Sequence, residues 1–182
     1  MENSIIYPTA FPHIREIRQI SEIRDKKTTM GLNEIKVRHA IRNDIAMIAH
    51  FNSEMAYETE NITLSQQKLT DGVTAIFEDS TKGFYIVAEC DGTVAGQAMI
   101  TYEWSDWRNA VIWWIQSVYI LPDYRKIGVF RSIFEQIKSL AKESNACGLR
   151  LYVDKSNTIA KKAYNNLGME ESHYDLYETM LE

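Results

Sequence analysis

The chain has 182 residues, enough for one domain of ordinary size and too few for two generous ones. Apolar residues make up 45% and charged residues 25%, the balance of a folded globular chain and not of a disordered one. A formal net charge of −5 argues against a nucleic-acid partner, and no apolar run has the length of a membrane span or the form of a secretory leader.

In chain order, residues 1–34 read as an N-terminal appendage. Ile14, Ile17, Ile20 and Ile23 recur every three residues between charged neighbours, which suggests a short amphipathic helix. It is expected to pack on the domain or on a second subunit, in the latter case giving a homodimer, and Met30 is an alternative start that would make it dispensable. A strand begins at Ile35, and Asn43 or Asp44 is placed to cap a helix whose apolar positions are Ile45, Ile48, Phe51 and Met55. A second helix is expected from Ser65, then a strand over 84–90, a hairpin turn at Asp91-Gly92 and a partner strand over 93–102. An aromatic and charged loop over 103–109 leads to 111–120, so apolar that burial on both faces is expected. A long helix over 129–144, a strand over 149–153, a short helix from Asn157 and a terminal strand over 172–180 complete the pattern.

Two segments carry chemistry. Asn157-Thr-Ile-Ala160-Lys-Lys-Ala-Tyr164-Asn-Asn-Leu-Gly168 spaces an Asn cap, a small residue and a phenol along one helical stripe and ends on a glycine suited to a left-handed turn. Ile120-Leu-Pro-Asp-Tyr-Arg125-Lys126-Ile127-Gly128-Val129-Phe130-Arg131 runs from an apolar strand through a Pro turn into a basic, Gly-containing loop and then a helix. Exposed N–H groups at such a helix start, flanked by Arg125, Lys126 and Arg131, make an anion site. Cys90 and Cys147 have no metal-ligand spacing and are expected to be free thiols in a reducing cytosol, hence a cytoplasmic location. The histidines His13, His39, His50 and His173 form no i, i+4 pair, so no metal is expected.

In these two segments the chain resembles the GNAT superfamily of N-acetyltransferases, whose pyrophosphate loop reads R/Q-x-x-G-x-G/A and whose later helix reads N-x-x-A-x-x-x-Y-x-x-x-G. The resemblance covers residues 35–182, with one departure at Phe130, where the family usually has Gly or Ala. It implies an α/β (α+β) fold: a mixed, largely antiparallel central sheet flanked by helices, with a V-shaped cofactor cleft between the fourth and fifth strands. It implies acetyl-CoA as cosubstrate, without a metal, and a primary amine of a small molecule or peptide as acceptor. Backbone groups of Val118 and Ile120 would pair with the pantetheine arm. Arg125, Lys126, Ile127, Gly128, Val129, Phe130 and Arg131 would form the pyrophosphate loop, with Asn157 and Ala160 completing the cofactor site.

For catalysis the resemblance implies that Tyr164 assists the leaving thiolate. Similar enzymes often carry a Glu on the strand before the loop, where this chain has Gln116. Gln cannot take a proton but can hold a water, with Glu103 or Glu54 as carboxylates that could receive it. An acceptor pocket walled by Trp104, Trp107 and Tyr57, with Glu54, Glu58, Glu60 and Asp106 adding negative potential, would suit a cation. A CoA-binding regulatory or sensor module without turnover is the alternative reading, favoured by Gln116 and Phe130 and opposed by Tyr164.

Overall fold

Five strands lie side by side in chain order: β1 (Ile35–His39), β2 (Phe84–Cys90), β3 (Thr93–Ser105), β4 (Ala110–Ile120) and β5 (Gly148–Leu151). The structure is a computed structural model and describes residues 34–181. Tight turns return β2 into β3 and β3 into β4, so these pairs are antiparallel, as is β1 with β2. The turn at Asp91 (φ 52°) and Gly92 (φ 78°) holds two left-handed residues in succession, the geometry that matches strand twist. β5 instead follows a helical crossover and pairs parallel with β4.

The strand alternation splits the core between two faces. Ile86, Ala98, Ile100, Trp113 and Ile115 face α3 (Val129–Glu143), whose Val129, Ile133, Phe134, Ile137 and Ala141 keep one helical stripe and are all buried. On the opposite face Tyr85, Val87 and Met99 meet α1 (Ile45–Glu60) and α2 (Gln66–Glu78) through Ile48, Ala49 and Val73. The last helix, α4, spans Thr158–Asn165. The expected mixed, largely antiparallel sheet with flanking helices is therefore the observed one.

Ser65 caps α2 by accepting from the Lys68 amide at 3.4 Å. Asp44 precedes α1 without capping it; its carboxylate takes the Ile41 amide at 2.7 Å and both terminal nitrogens of Arg38 instead. Three expectations need correction. β3 runs on to Ser105, so residues 103–105 are strand and only the turn after them is loop. β4 is buried at Ile112, Trp113, Ile115 and Tyr119 but half-buried elsewhere: Trp114 and Gln116 lie where α1 and α2 leave their face of the sheet uncovered, and Val118 and Ile120 lie beyond the last pair with β5. Residues 172–180 form no strand: among the described residues no strand of the sheet pairs with them, and their apolar side chains Tyr174, Leu176, Tyr177 and Met180 are left exposed. The isoleucine stripe of residues 14–23 lies outside the described residues.

Gly83 opens β2 at φ 141°, and a Cβ there would sit 1.9 Å from the Ile100 carbonyl oxygen. Gly83→Ala is expected to cost about 2–4 kcal/mol, combining backbone strain with a clash against a central strand. Gly92→Ala, with nothing within 4 Å, should cost about 1 kcal/mol. Equal melting temperatures for the two variants would contradict this account of Gly83.

Candidate active site

β4 and β5 part company. Their last paired residues are Ile115 and Leu151, whereas β4 continues through Gln116, Val118 and Ile120. Along this stretch β4 keeps its ladder to β3 on one side and, among the described residues, has no strand on the other, so a wedge opens whose wall includes backbone groups of β4. An extended ligand can add to such an edge through main-chain hydrogen bonds.

At the wide end of the wedge the chain turns through Pro122–Tyr124 into the anion loop and α3. Gly128 is the N-cap of α3 at φ 99°, and among the described residues no side chain caps the helix, so its first-turn amides are left for an anion. Arg125, Lys126, Ile127 and Arg131 are exposed around it, and Lys126 is itself left-handed at φ 68°. The guanidinium of Arg125 is engaged elsewhere: it donates to the Ile120 carbonyl at 2.8 Å and to Glu58 on α1 at 2.7 Å. Glu58 also accepts from the Tyr119 hydroxyl at 2.9 Å, and burial, reinforced by this carboxylate, pushes the Tyr119 phenol up to about 12. Arg125 thus ties the loop to α1, while the backbone amides, Lys126 and Arg131 remain for phosphate.

The second motif folds as the spacing predicts. Asn157 caps α4 by accepting from the Ala160 amide at 3.0 Å, and Gly168 at φ 81° closes the helix. Tyr164 is half-buried, and burial pushes its phenol above the ordinary value. Its ring meets Phe130 edge-on at 5.5 Å, and Phe130 also contacts Phe134 at 6.3 Å. The bulky residue at the departing position therefore turns inward and joins the two motifs, leaving the loop amides clear. Among the described residues the Tyr164 hydroxyl has no hydrogen-bond partner.

The face of the sheet that α1 and α2 leave uncovered carries a polar group of side chains. Thr101 lies opposite Trp114, and Trp114 beside Arg150, so alternation puts them on one face. Gln116 donates through Nε2 to Thr101 Oγ1 at 2.5 Å, which leaves its Oε1 as an acceptor toward solvent or ligand. Glu103 takes Nη1 of Arg150 at 2.7 and 2.9 Å and the Trp114 indole at 2.5 Å. Both carboxylate oxygens are thereby engaged by Arg150 and Trp114. Tyr152, exposed, stacks on Trp114 at 4.4 Å.

The expected aromatic wall is not assembled. Trp104 lies on the face opposite Glu103, Trp107 is 86% exposed in the hairpin turn, Tyr57 is on α1, and among the described residues no ring contact joins them. Trp113 belongs to the core. Sequence reading passed over Thr101, Arg150 and Tyr152, whose only sequence signal was a polar or aromatic residue breaking an apolar strand. Among the described residues no group of three or more His, Cys, Asp or Glu side chains is placed to hold a metal, and no helix is long and apolar enough to cross a membrane.

Residues 46–169 match the model of the acetyltransferase (GNAT) family. Among solved structures, a possible acetyltransferase from Clostridium difficile 630 is 44% identical over 81% of this chain and 97% of its own, with a TM-score of 0.75. A predicted acetyltransferase from Clostridium acetobutylicum, solved with acetyl-CoA, is 18% identical over 80% of this chain and 96% of its own (TM-score 0.67). An aminoglycoside N-acetyltransferase solved with CoA is 14% identical over 84% of this chain and 97% of its own (TM-score 0.70). The last two identities speak for the fold alone.

Proposed function

The chain belongs to the acetyltransferase (GNAT) family, and from that premise we propose that it transfers an acetyl group from acetyl-CoA to a primary amine of a small molecule or peptide by direct attack on the thioester. The observation that carries this reading is the wedge between β4 and β5, with an uncapped helix start at its wide end and Tyr164 packed against the same helix turn. The pyrophosphate would lie on the amides of residues 126–131, beside Lys126 and Arg131. The pantetheine arm would pair with the backbone of Val118 and Ile120, passing Asn157 and Ala160. Binding energy from this remote part orients the thioester for attack.

The acceptor would approach over the uncovered sheet face. An amine attacks only when neutral, and for a Lys-like amine at pH 7 deprotonation costs roughly 4–5 kcal/mol. Glu103 is held by Arg150 and Trp114, which points away from it as the base, and Gln116 has no proton to exchange. Gln116 Oε1 is free to accept from the amine or from a water that carries the proton to solvent. Nitrogen then bonds to the thioester carbonyl carbon, the C–S bond breaks, and the Tyr164 phenol hands its hydrogen bond or proton to the departing sulfur. Neither Cys90 nor Cys147 forms a disulfide among the described residues, in keeping with a cytoplasmic setting.

The test is release of free CoA thiol from acetyl-CoA across a panel of amines. Turnover above the water background for at least one amine is the expected result; binding of CoA without turnover on any would favour the sensor reading. With a working acceptor, kcat/KM should rise with pH along one limb that follows the acceptor's own pKa. Gln116→Glu should add a limb at lower pH or shift the existing one downward. A wild-type limb near pH 6–7 that ignores the acceptor's pKa would show that a protein base takes part.

A further inference from the structure

The most unusual residue in the sheet interior is Gln97. It is fully buried on β3 and lies between α1 and β4. Its Nε2 donates to Asn52 Oδ1 at 2.7 Å and to the Ser117 carbonyl at 3.3 Å, and its Oε1 is buried with no hydrogen-bond partner among the described residues. The Ser117 carbonyl sets the amide orientation: reversed, the Gln97 oxygen would face another acceptor. Asn52, itself buried on α1, donates onward to the Tyr85 hydroxyl at 3.4 Å.

Opposite Gln97 the ladder slips. Tyr119 pairs with Gln97 but Gln116 pairs with Met99, so Ser117 and Val118 together stand opposite Ala98 as a β-bulge. Ser117 takes φ 49°, a left-handed conformation that glycine, Asn and Asp adopt readily and serine rarely does. Two costly features, a core amide with an unpaired oxygen and a left-handed serine, thus meet at one point. That point lies two residues beyond the last β4–β5 pair, where the wedge opens. Methionine or leucine at position 97 would suit the surrounding apolar strand better, and it would leave the Ser117 carbonyl unheld. Costs retained together at one place mark a constraint set by function, not by folding.

We propose that Gln97, braced by Asn52, is a positioning residue for acetyl transfer: by holding the Ser117 carbonyl it fixes the β4 bulge and so sets where the backbone of Val118 meets the thioester end of the pantetheine arm. This rests on the function proposed above. Gln97 itself does not touch the substrates; it acts through the strand. The bulge sets the thioester end of the wedge, while Ile120 and the loop hold the rest of CoA.

Gln97→Met keeps the side-chain volume and removes the donor. It is expected to lower kcat about 10–100-fold with KM for acetyl-CoA within about threefold, a split that a general loss of packing does not produce. By calorimetry, its affinity for CoA should hold, and any preference of the wild type for acetyl-CoA over CoA should disappear. Ser117→Gly serves as the second variant, since glycine relieves the left-handed strain yet loosens the bulge. Its melting temperature should hold or rise while kcat falls about 3–10-fold, and it decides the matter if Gln97→Met does not fold. A folded Gln97→Met with unchanged kcat and an unchanged ratio of acetyl-CoA to CoA affinity overturns the proposal, as does Ser117→Gly with full kcat. Absence of amine-dependent turnover in the wild type would instead sink the proposed function, and the ratio of the two affinities would still report on the bulge.

Discussion

Tyr164→Phe is expected to lower kcat by about 10 to 10³-fold while KM for acetyl-CoA changes little, because the hydroxyl acts on the leaving sulfur and not on cofactor binding. Burial raises the phenol's pKa, so Tyr164 stays protonated at neutral pH and retains the proton it must donate. The loss falls toward the lower end of general-acid effects, since a thiol of pKa near 8.5 already leaves readily. Stability should be nearly unaffected: the edge-on contact with Phe130 survives in Phe, and the hydroxyl has no partner among the described residues to abandon. Steady-state kinetics and a thermal melt of the same preparation separate these effects. An unchanged kcat on a true acceptor would show that Tyr164 only packs.

Gly128→Ala is expected to raise the Kd for CoA by about 10 to 10²-fold and to leave the affinity for pantetheine, which lacks the pyrophosphate, nearly as it was. A Cβ at this position would meet nothing closer than Ile35 Cδ1 at 4.0 Å, so the penalty is conformational. At φ 99° a non-glycine residue pulls the loop away and misaims amides that would each make a charge-assisted bond, worth about 1.5–3 kcal/mol apiece. Equal losses for CoA and pantetheine would remove the phosphate role from the loop. Arg125 is a weaker probe of that role, because its guanidinium is already shared between Glu58 and the Ile120 carbonyl.

Local signals made most of the fold legible. Alternation and the Asp91-Gly92 turn located β2 and the start of β3; the Ser65 and Asn157 caps located α2 and α4; the apolar stripe located α3. These depend on residues a few positions apart. Features that depend on distant partners stayed hidden. Glu103 looks like loop because it is charged, yet it sits in β3 since Arg150, 47 residues later, neutralises it. Arg125 reads as a phosphate ligand until Glu58, 67 residues earlier, is brought beside it. The bulge at Ser117 leaves no mark in the composition of β4, because it is the buried amide of Gln97 on the neighbouring strand that meets its carbonyl. The expected terminal strand failed for the same reason: Tyr174, Leu176 and Met180 alternate as a strand would, but alternation supplies no partner edge, and among the described residues none pairs with this segment.

Calorimetric titration of the protein with CoA tests the central claim most directly, since both the transferase and the sensor readings require the wedge and the anion loop to hold this molecule. The expected result is one site with a Kd in the micromolar range, on the order of −8 kcal/mol. No binding at millimolar CoA would contradict the account.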